Sequence, residues 1–363
     1  KKKENTSMIR CFKPDIGPEE STAALQVLSS KSLGFGPLVE DFEKAYGKLS
    51  KKKYNIGTNS ASAAAYLLYQ YLYEELGAHR VYTPSLGFVS PVFAAIKNKH
   101  KVILVDVDEN LLMSTEDFNS KFIEDDHLPS VIMPVLYGGV SSVRDLVQSA
   151  RARDCLIVLD SAHCSTPMID HDFAFYSFHP AKPICMANGG LISTNDSDAA
   201  DYFRSARNFG RKVVEDTYEI NQSGFNFYMN NLNAAIGLVQ IEKAKGNVAK
   251  RRKNFKKVST TIPSTLGLFC HHDEHSSYYL CTLILKKGES SVRTRKYMLE
   301  NGIECSFHYP PLHKTGYYKT SSSFNNLEAL DDRVINLPIH QNLTDEEIDK
   351  IINECIHYSR SRR

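Results

Sequence analysis

A large α/β domain, its mostly parallel sheet covered by helices on both faces, followed by a smaller α+β domain, is the fold class this sequence predicts. Three observations lead there. At 363 residues the chain exceeds one ordinary core. From residue 81 to residue 160, near-continuous runs of Val, Ile and Leu alternate with segments of helical period, as strands buried on both faces require. Farther on, 278–285 and 303–309 read as strands and 291–300 and 344–356 as helices of a second domain.

The elements follow in order. Residues 9–32 mix polar and apolar positions, and Pro18-Glu19-Glu20 opens a helix whose acidic first turn suits its dipole. Gly34-Phe35-Gly36-Pro37 turns into a helix over 38–46, apolar at i, i+4, i+7 and i+8. No strand precedes Gly34-x-Gly36 and Pro37 follows it, so this is not a dinucleotide fingerprint. Residues 53–56 read as a strand, followed by a turn of small polar residues and an Ala-rich helix to about Leu76. Small side chains there let backbone N–H groups and a helix N-terminus approach an anion such as a cofactor phosphate. The same residues also serve as ordinary caps. Strands at 81–84, 102–107, 130–137 and 155–160 then alternate with helices at 88–96, 115–122 and 143–152. The run 173–178 is a strand that stops at Pro180, Gly189-Gly190 opens another, and an amphipathic helix spans 229–245.

Lys+Arg 44 against Asp+Glu 42 leaves a net charge of +2, too balanced for a global nucleic-acid or membrane field. A small metabolite is the expected partner. The eight cysteines contain no CxxC pair and several sit in apolar strands, which suits reduced buried thiols and a cytosolic compartment. No apolar run approaches the ~20 residues of a membrane span. The start, Lys1-Lys2-Lys3-Glu4, has no adjoining apolar stretch and so shows no signal peptide; residue 1 is not Met, and the natural terminus stays open.

In such sheets ligands sit beyond the carboxyl ends of the strands. Asp160 ends its strand at that edge with His163 three residues on, although a carboxylate there reads equally as a helix cap. Lys182 falls on the loop between the 173–178 strand and Gly189-Gly190. By itself it reads as a solvated loop lysine; pointed into a cleft, where desolvation lowers its pKa, it is a Schiff-base nucleophile. His271-His272-Asp273-Glu274-His275 lacks the HExxH register and reads as a surface loop, so no metal is expected. The basic residues Lys250, Arg251, Arg252, Lys253, Lys256 and Lys257 read as a solvated helix face rather than a nucleic-acid patch.

Gly57-Thr58-Asn59-Ser60-Ala61-Ser62-Ala63-Ala64, Thr83-Pro84-Ser85-Leu86-Gly87-Phe88, Asp160-Ser161-Ala162-His163 and Ser177-Phe178-His179-Pro180-Ala181-Lys182 occur in an order that resembles the DegT/StrS-type sugar aminotransferases. The likeness continues through Gly224-Phe225-Asn226-Phe227-Tyr228 and His308-Tyr309-Pro310-Pro311-Leu312-His313, and so covers nearly the whole chain. It implies a pyridoxal-phosphate enzyme of the aspartate-aminotransferase fold (fold type I). A seven-stranded, mostly parallel sheet would lie in a large domain of residues 15–245, and a small α+β domain would comprise 246–363 with the segment 1–14. By the same resemblance, Lys182 would hold pyridoxal 5′-phosphate and shuttle a proton at the amine-bearing carbon, while Asp160 would keep the pyridinium nitrogen protonated. His163 would lie near the ring's phenolic oxygen and Phe88 would stack on its face. The backbone of Ala61 and Ser62 and the Ser177 hydroxyl would bind the phosphate, and Asn226 would reach the cofactor of the neighbouring subunit in a homodimer. His308 and Tyr309 would face the substrate or, equally, pack as a strand end. L-glutamate would convert the cofactor to pyridoxamine 5′-phosphate, which would aminate a keto group of a nucleotide-linked deoxysugar.

The sequence also departs from that family. Residues 164–172 form a shorter loop than usual, Asn188 replaces a frequent acidic residue, Tyr228 a common arginine and Leu136 a frequent histidine. These changes fall on the substrate pocket and its sugar preference. A dehydratase or lyase on the same scaffold and a non-catalytic cofactor-binding regulator are the rival readings. Lys182 favours transamination, because dehydrating relatives carry histidine there.

Overall fold

The structure, a computed structural model, describes residues 8–124, 127–141, 143–318, 320–330 and 332–361. Residues 1–7, on which the signal-peptide reading and half of the segment 1–14 rest, lie outside them.

The first half of the chain runs α1 (Pro18–Ser30), α2 (Pro37–Ser50), β1 (Tyr54–Thr58), α3 (Ala61–Leu76), β2 (Arg80–Pro84), α4 (Val89–Lys97), β3 (Lys101–Val105), α5 (Thr115–Lys121), β4 (Ser130–Ile132), α6 (Arg144–Arg151) and β5 (Leu156–Asp160). It continues through β6 (Phe173–Ser177), β7 (Gly190–Thr194), α7 (Ser197–Ala206), an exposed hairpin of β8 (Arg211–Val214) and β9 (Thr217–Ile220), and the long α8 (Asn231–Thr261). Seven strands form one sheet in the order β1-β7-β6-β5-β4-β2-β3. Only β7 runs against its neighbours.

Side chains alternate across a strand, and here the two sets enter two different cores. Tyr82, Ile132, Ile157, Leu159, Ala174 and Tyr176 face one cluster, with Phe42 and Tyr46 of α2. Val81, Val131, Val158, Phe173 and Phe175 face the other, with α3 and α7. Helices therefore cover both faces, and a ligand can reach the sheet only at its edges. Side-chain caps set where the helices begin: Ser60 Oγ accepts the Ala63 N–H at 3.1 Å for α3, and Asn230 Oδ1 accepts the Asn233 N–H at 2.8 Å for α8.

The remaining elements are β10 (Gly267–Phe269), β11 (Cys281–Leu285), α9 (Ser291–Glu300), α10 (Asn325–Ala329), β12 (Val334–Leu337) and α11 (Asp345–Ser361). The sheet β10-β11-β12 is antiparallel, and with α9, α11 and the end of α8 it encloses a third cluster containing Leu283, Met298, Ile335 and Ile351. Ile9 joins this cluster from the other end of the chain, donating to Gly302 O and accepting from Glu304 N–H, both at 2.9 Å.

Several local expectations are corrected. The strand expected over 130–137 ends at Ile132, because Pro134 offers no N–H for the ladder and Tyr137–Gly139 forms a short 3-10 turn. The strand expected over 303–309 reduces to isolated bridges at Ile303 and Ser306. The helix expected over 229–245 and the basic run after it are one 31-residue helix, and the β8-β9 hairpin was not anticipated. Arg251 does not lie on a solvated face. It is 1% exposed, and it donates to Gln341 Oε1 at 2.7 Å and to the carbonyls of Tyr278 and Tyr279 at 3.4 Å. Nor is 271–275 a plain surface loop, since His272 is buried and Asp273 accepts the Ser141 N–H and hydroxyl at 2.8 and 2.9 Å. All eight cysteines are free, and seven are buried.

Gly190 lets β7 run against the start of α3. A Cβ there would lie 2.3 Å from the Ser60 carbonyl carbon and 2.5 Å from the Ala61 nitrogen. Backbone cannot yield as a flexible side chain can, so Gly190→Ala is expected to lose about 1–3 kcal/mol in urea denaturation with an unchanged slope. Unaltered stability would refute the close approach.

Candidate active site

At the carboxyl end of the central strands a cavity of about 420 Å³ opens between the sheet and the segment 308–309. Two strand ends and the loop after the second define it. Asp160 closes β5, Ser177 closes β6, and Lys182 follows on the loop after Pro180, whose turn is fixed by Lys182 N–H donating to His179 O at 2.8 Å. Phe178 anchors that loop from below, buried to 1%, bonded through its backbone to Gly189 O at 2.9 Å and to Met186 N–H at 2.8 Å.

Lys182 and Asp160 are both buried and interact electrostatically. Burial lowers the Lys182 amine to about 7, against the pull of Asp160 toward the charged form. Burial raises the Asp160 carboxyl to about 6, against the Ala162 N–H and the Lys182 charge. Asp160 Oδ1 accepts the Ala162 N–H at 3.0 Å. Among the described residues no donor meets Oδ2, so a buried carboxylate opens on the cavity with one oxygen unbonded. That oxygen fits a cationic N–H donor. The Lys182 Nζ sits 4.2 Å from the centroid of the Tyr279 ring.

The opposite end of the cavity suits an anion. Ala61 and Ser62 begin α3, whose first N–H groups have no intrahelical acceptors. Ser62 Oγ and Ser90 Oγ, the latter from the first turn of α4, lie 2.9 Å apart, and Ser177 and His179 complete this side. Phe88, 54% exposed, presents its ring at the mouth. The far wall is aromatic: Tyr279 stacks on Phe12 at 5.4 Å, and His163 and Tyr309 join them through a 3.0 Å contact of His163 Nε2 with Tyr309 Oη. Burial, Lys182 and His308 together hold His163 well below its usual range. His308 is lowered to about 4, mainly by burial and then by Lys182.

Of the residues singled out in the sequence, Lys182, Asp160, Ala61, Ser62, Phe88, His163, Ser177, His308 and Tyr309 all line this one cavity. Asn226 does not. It is exposed outside the cavity, its carbonyl accepting from Asn59 Nδ2 at 3.0 Å. Sequence reasoning missed Phe12, Ser90 and Tyr279, which also line it. Ser90 sits in a helix start already recognised. Phe12 and Tyr279 carried no signal, because they lie 170 and 97 positions from Lys182 and only the fold brings them near.

The family model of the DegT/DnrJ/EryC1/StrS aminotransferases matches residues 14–355. The chain is 27% identical over 373 residues to the spore coat polysaccharide biosynthesis protein SpsC of Bacillus subtilis, covering 93% of this chain and 94% of that protein. It is 25% identical over 379 residues to the dTDP-4-dehydro-2,3,6-trideoxy-D-glucose 4-aminotransferase of Saccharopolyspora spinosa, covering 96% of each. Its fold superposes with a TM-score of 0.91 on Helicobacter pylori PseC, an aminotransferase of pseudoaminic acid biosynthesis, at 22% identity over 98% of this chain and 100% of that one.

A buried lysine with a lowered pKa costs stability where it is protonated. The unfolded chain binds its proton up to the ordinary value of 10.5 and the folded chain only to about 7. The cost is therefore full below about pH 7 and fades as pH rises toward 10.5. Coenzyme-free Lys182→Met is expected to be more stable than the parent by about 1–2 kcal/mol near pH 6.5, a gap that closes near pH 10. Urea melts at both pH values test this, and a gap independent of pH refutes it.

Proposed function

The chain belongs to the DegT/DnrJ/EryC1/StrS aminotransferase family, which is pyridoxal-phosphate dependent, and from that premise we propose that it transfers an amino group from L-glutamate to a keto group of a nucleotide-linked deoxysugar. The buried pairing of the Lys182 amine with the Asp160 carboxylate carries this reading. A lysine kept near neutrality with a carboxylate opposite is the donor set a cationic pyridine ring and its aldehyde require.

Bound in the cavity, pyridoxal 5′-phosphate would supply an aldehyde that takes up amino groups and a cationic ring that accepts the electrons of the adjacent C–H bond. The residues do the rest. Lys182, lowered to about 7 by burial, can offer a lone pair on Nζ to attack with and to accept a proton, which it can return. Asp160, whose Oδ2 meets no donor among the described residues, would hold the ring nitrogen in its protonated form. The N–H groups of Ala61 and Ser62 and the hydroxyls of Ser62 and Ser177 would hold the phosphate. Phe88, at the mouth of the cavity, would stack on the ring, and His308 and Tyr309 would meet the sugar. The amino donor and the nucleotide link rest on the family likeness; the activity of the Saccharopolyspora relative supports the second.

We place the working unit as a homodimer in which Asn226 reaches the partner's phosphate. Its exposure outside its own cavity supports this, as does the β8-β9 hairpin, where Val213 is 78% and Ile220 64% exposed.

Protein incubated with pyridoxal 5′-phosphate is expected to gain a visible absorption band that glutamate removes. Mass spectrometry is then expected to find a supplied nucleotide-linked keto deoxysugar aminated. Lys182→Ala should abolish turnover, and Asp160→Asn should lower kcat by about 10²–10⁴-fold with the fold intact by circular dichroism. A protein that takes up no coenzyme, or full activity in Lys182→Ala, sinks the proposal.

A further inference from the structure

We propose that the Tyr309 hydroxyl is the hydrogen-bond donor that holds the carbonyl oxygen of the keto substrate, and that His163 is the positioning residue that turns this donor into the cavity. The inference rests on the transaminase reading above.

The direction of each bond follows from what each group is able to donate. In the turn Tyr137–Gly139, Gly138 has φ +69 and its N–H lies 3.2 Å from His163 Nδ1. An amide N–H only donates, so Nδ1 must offer its lone pair. In a neutral imidazole the proton then sits on Nε2. Burial first, and then the Lys182 amine, keep His163 neutral. Nε2–H therefore donates to Tyr309 Oη at 3.0 Å. Tyr309 has one proton of its own, and it cannot point back along that bond. Among the described residues no acceptor meets it, while Tyr309 lines the cavity. Burial keeps the phenol protonated, its pKa raised.

The position of the ring is also constrained. His308 stands at 4.8 Å and Phe88 at 5.7 Å, ring to ring, so the hydroxyl cannot swing far from His163. Tyr279 lies 4.5 Å from the His163 ring and 4.2 Å, centroid to amine, from Lys182, so the His163–Tyr309 contact and the Lys182 amine border one shared aromatic ring of the same cavity. A ketone oxygen has lone pairs only and gains negative charge as an amine attacks its carbon. A fixed donor aimed at it favours that change. The chain from Gly138 through His163 to Tyr309 thus converts a backbone amide into an oriented phenol.

Two measurements on the full chain test this. In coenzyme-free protein, ¹⁵N NMR of the histidine rings is expected to show His163 with Nε2 protonated and Nδ1 bare at pH 7; the opposite tautomer or an imidazolium overturns the proposal. In loaded protein, the glutamate half-reaction and the keto-sugar half-reaction are followed separately in single turnovers. Tyr309→Phe is expected to slow the keto-sugar half about 10- to 100-fold, and to slow it more than the glutamate half, in which the keto group is released rather than captured. His163→Leu should reproduce that split, and His163→Gln, which keeps an N–H near the Nε2 position, should recover most of the rate. Equal losses in both halves, a loss confined to glutamate, or no loss in Tyr309→Phe overturns the donor role. If the parent protein itself aminates no keto sugar, the transaminase reading fails, whereas the NMR result still reports on the His163 geometry independently.

Discussion

The whole site depends on keeping an amine and a carboxylic acid together out of water. Low dielectric pushes Lys182 and Asp160 each toward its neutral form, and each opposes that push on the other. The balance leaves Lys182 near 7 and Asp160 near 6, values at which one side chain moves a proton and the other keeps its charge. Neither residue could hold that position on a mobile loop. Asp160 is the last residue of a central strand whose carbonyl accepts the Leu136 N–H at 3.0 Å, and Lys182 sits on a loop pinned through Phe178. The mostly parallel sheet earns its place by bringing both to the same edge.

Much of this was legible in the sequence because it is local. Runs such as Leu156-Ile157-Val158-Leu159-Asp160 announce a buried strand and its polar terminus together, and the small residues from Ser60 to Ala65 announce a helix start. What stayed hidden depends on long-range contact. Phe12 and Tyr279 look like ordinary aromatic residues until the fold stacks them. The 303–309 segment carries the alternation of a strand, yet it makes only isolated bridges, because the β10-β11-β12 sheet ends at β12. Pattern alone does not reveal how many neighbours a strand finds.

Arg251 shows the same limit in a charged residue. Five basic neighbours on α8 mark a wet helix face, but the period of the helix turns this one inward. There it meets two carbonyls and an amide oxygen, with no carboxylate bonded to it among the described residues, and burial lowers it to about 10. A guanidinium accepts such neutral partners because its charge is spread over three nitrogens. By binding the backbone at Tyr278 and Tyr279 it fixes the aromatic wall that the Lys182 amine touches.

The seating of Ile9 has a corollary for how the cavity is assembled. Phe12 reaches its wall only because the strand-like segment before it is tied to residues 302 and 304, near the opposite end of the chain. Synthesis through Phe12 therefore leaves its place in the wall unfixed until residues 302 and 304 have emerged. A nascent chain released early would carry both Lys182 and Asp160 and still have an unfinished binding wall.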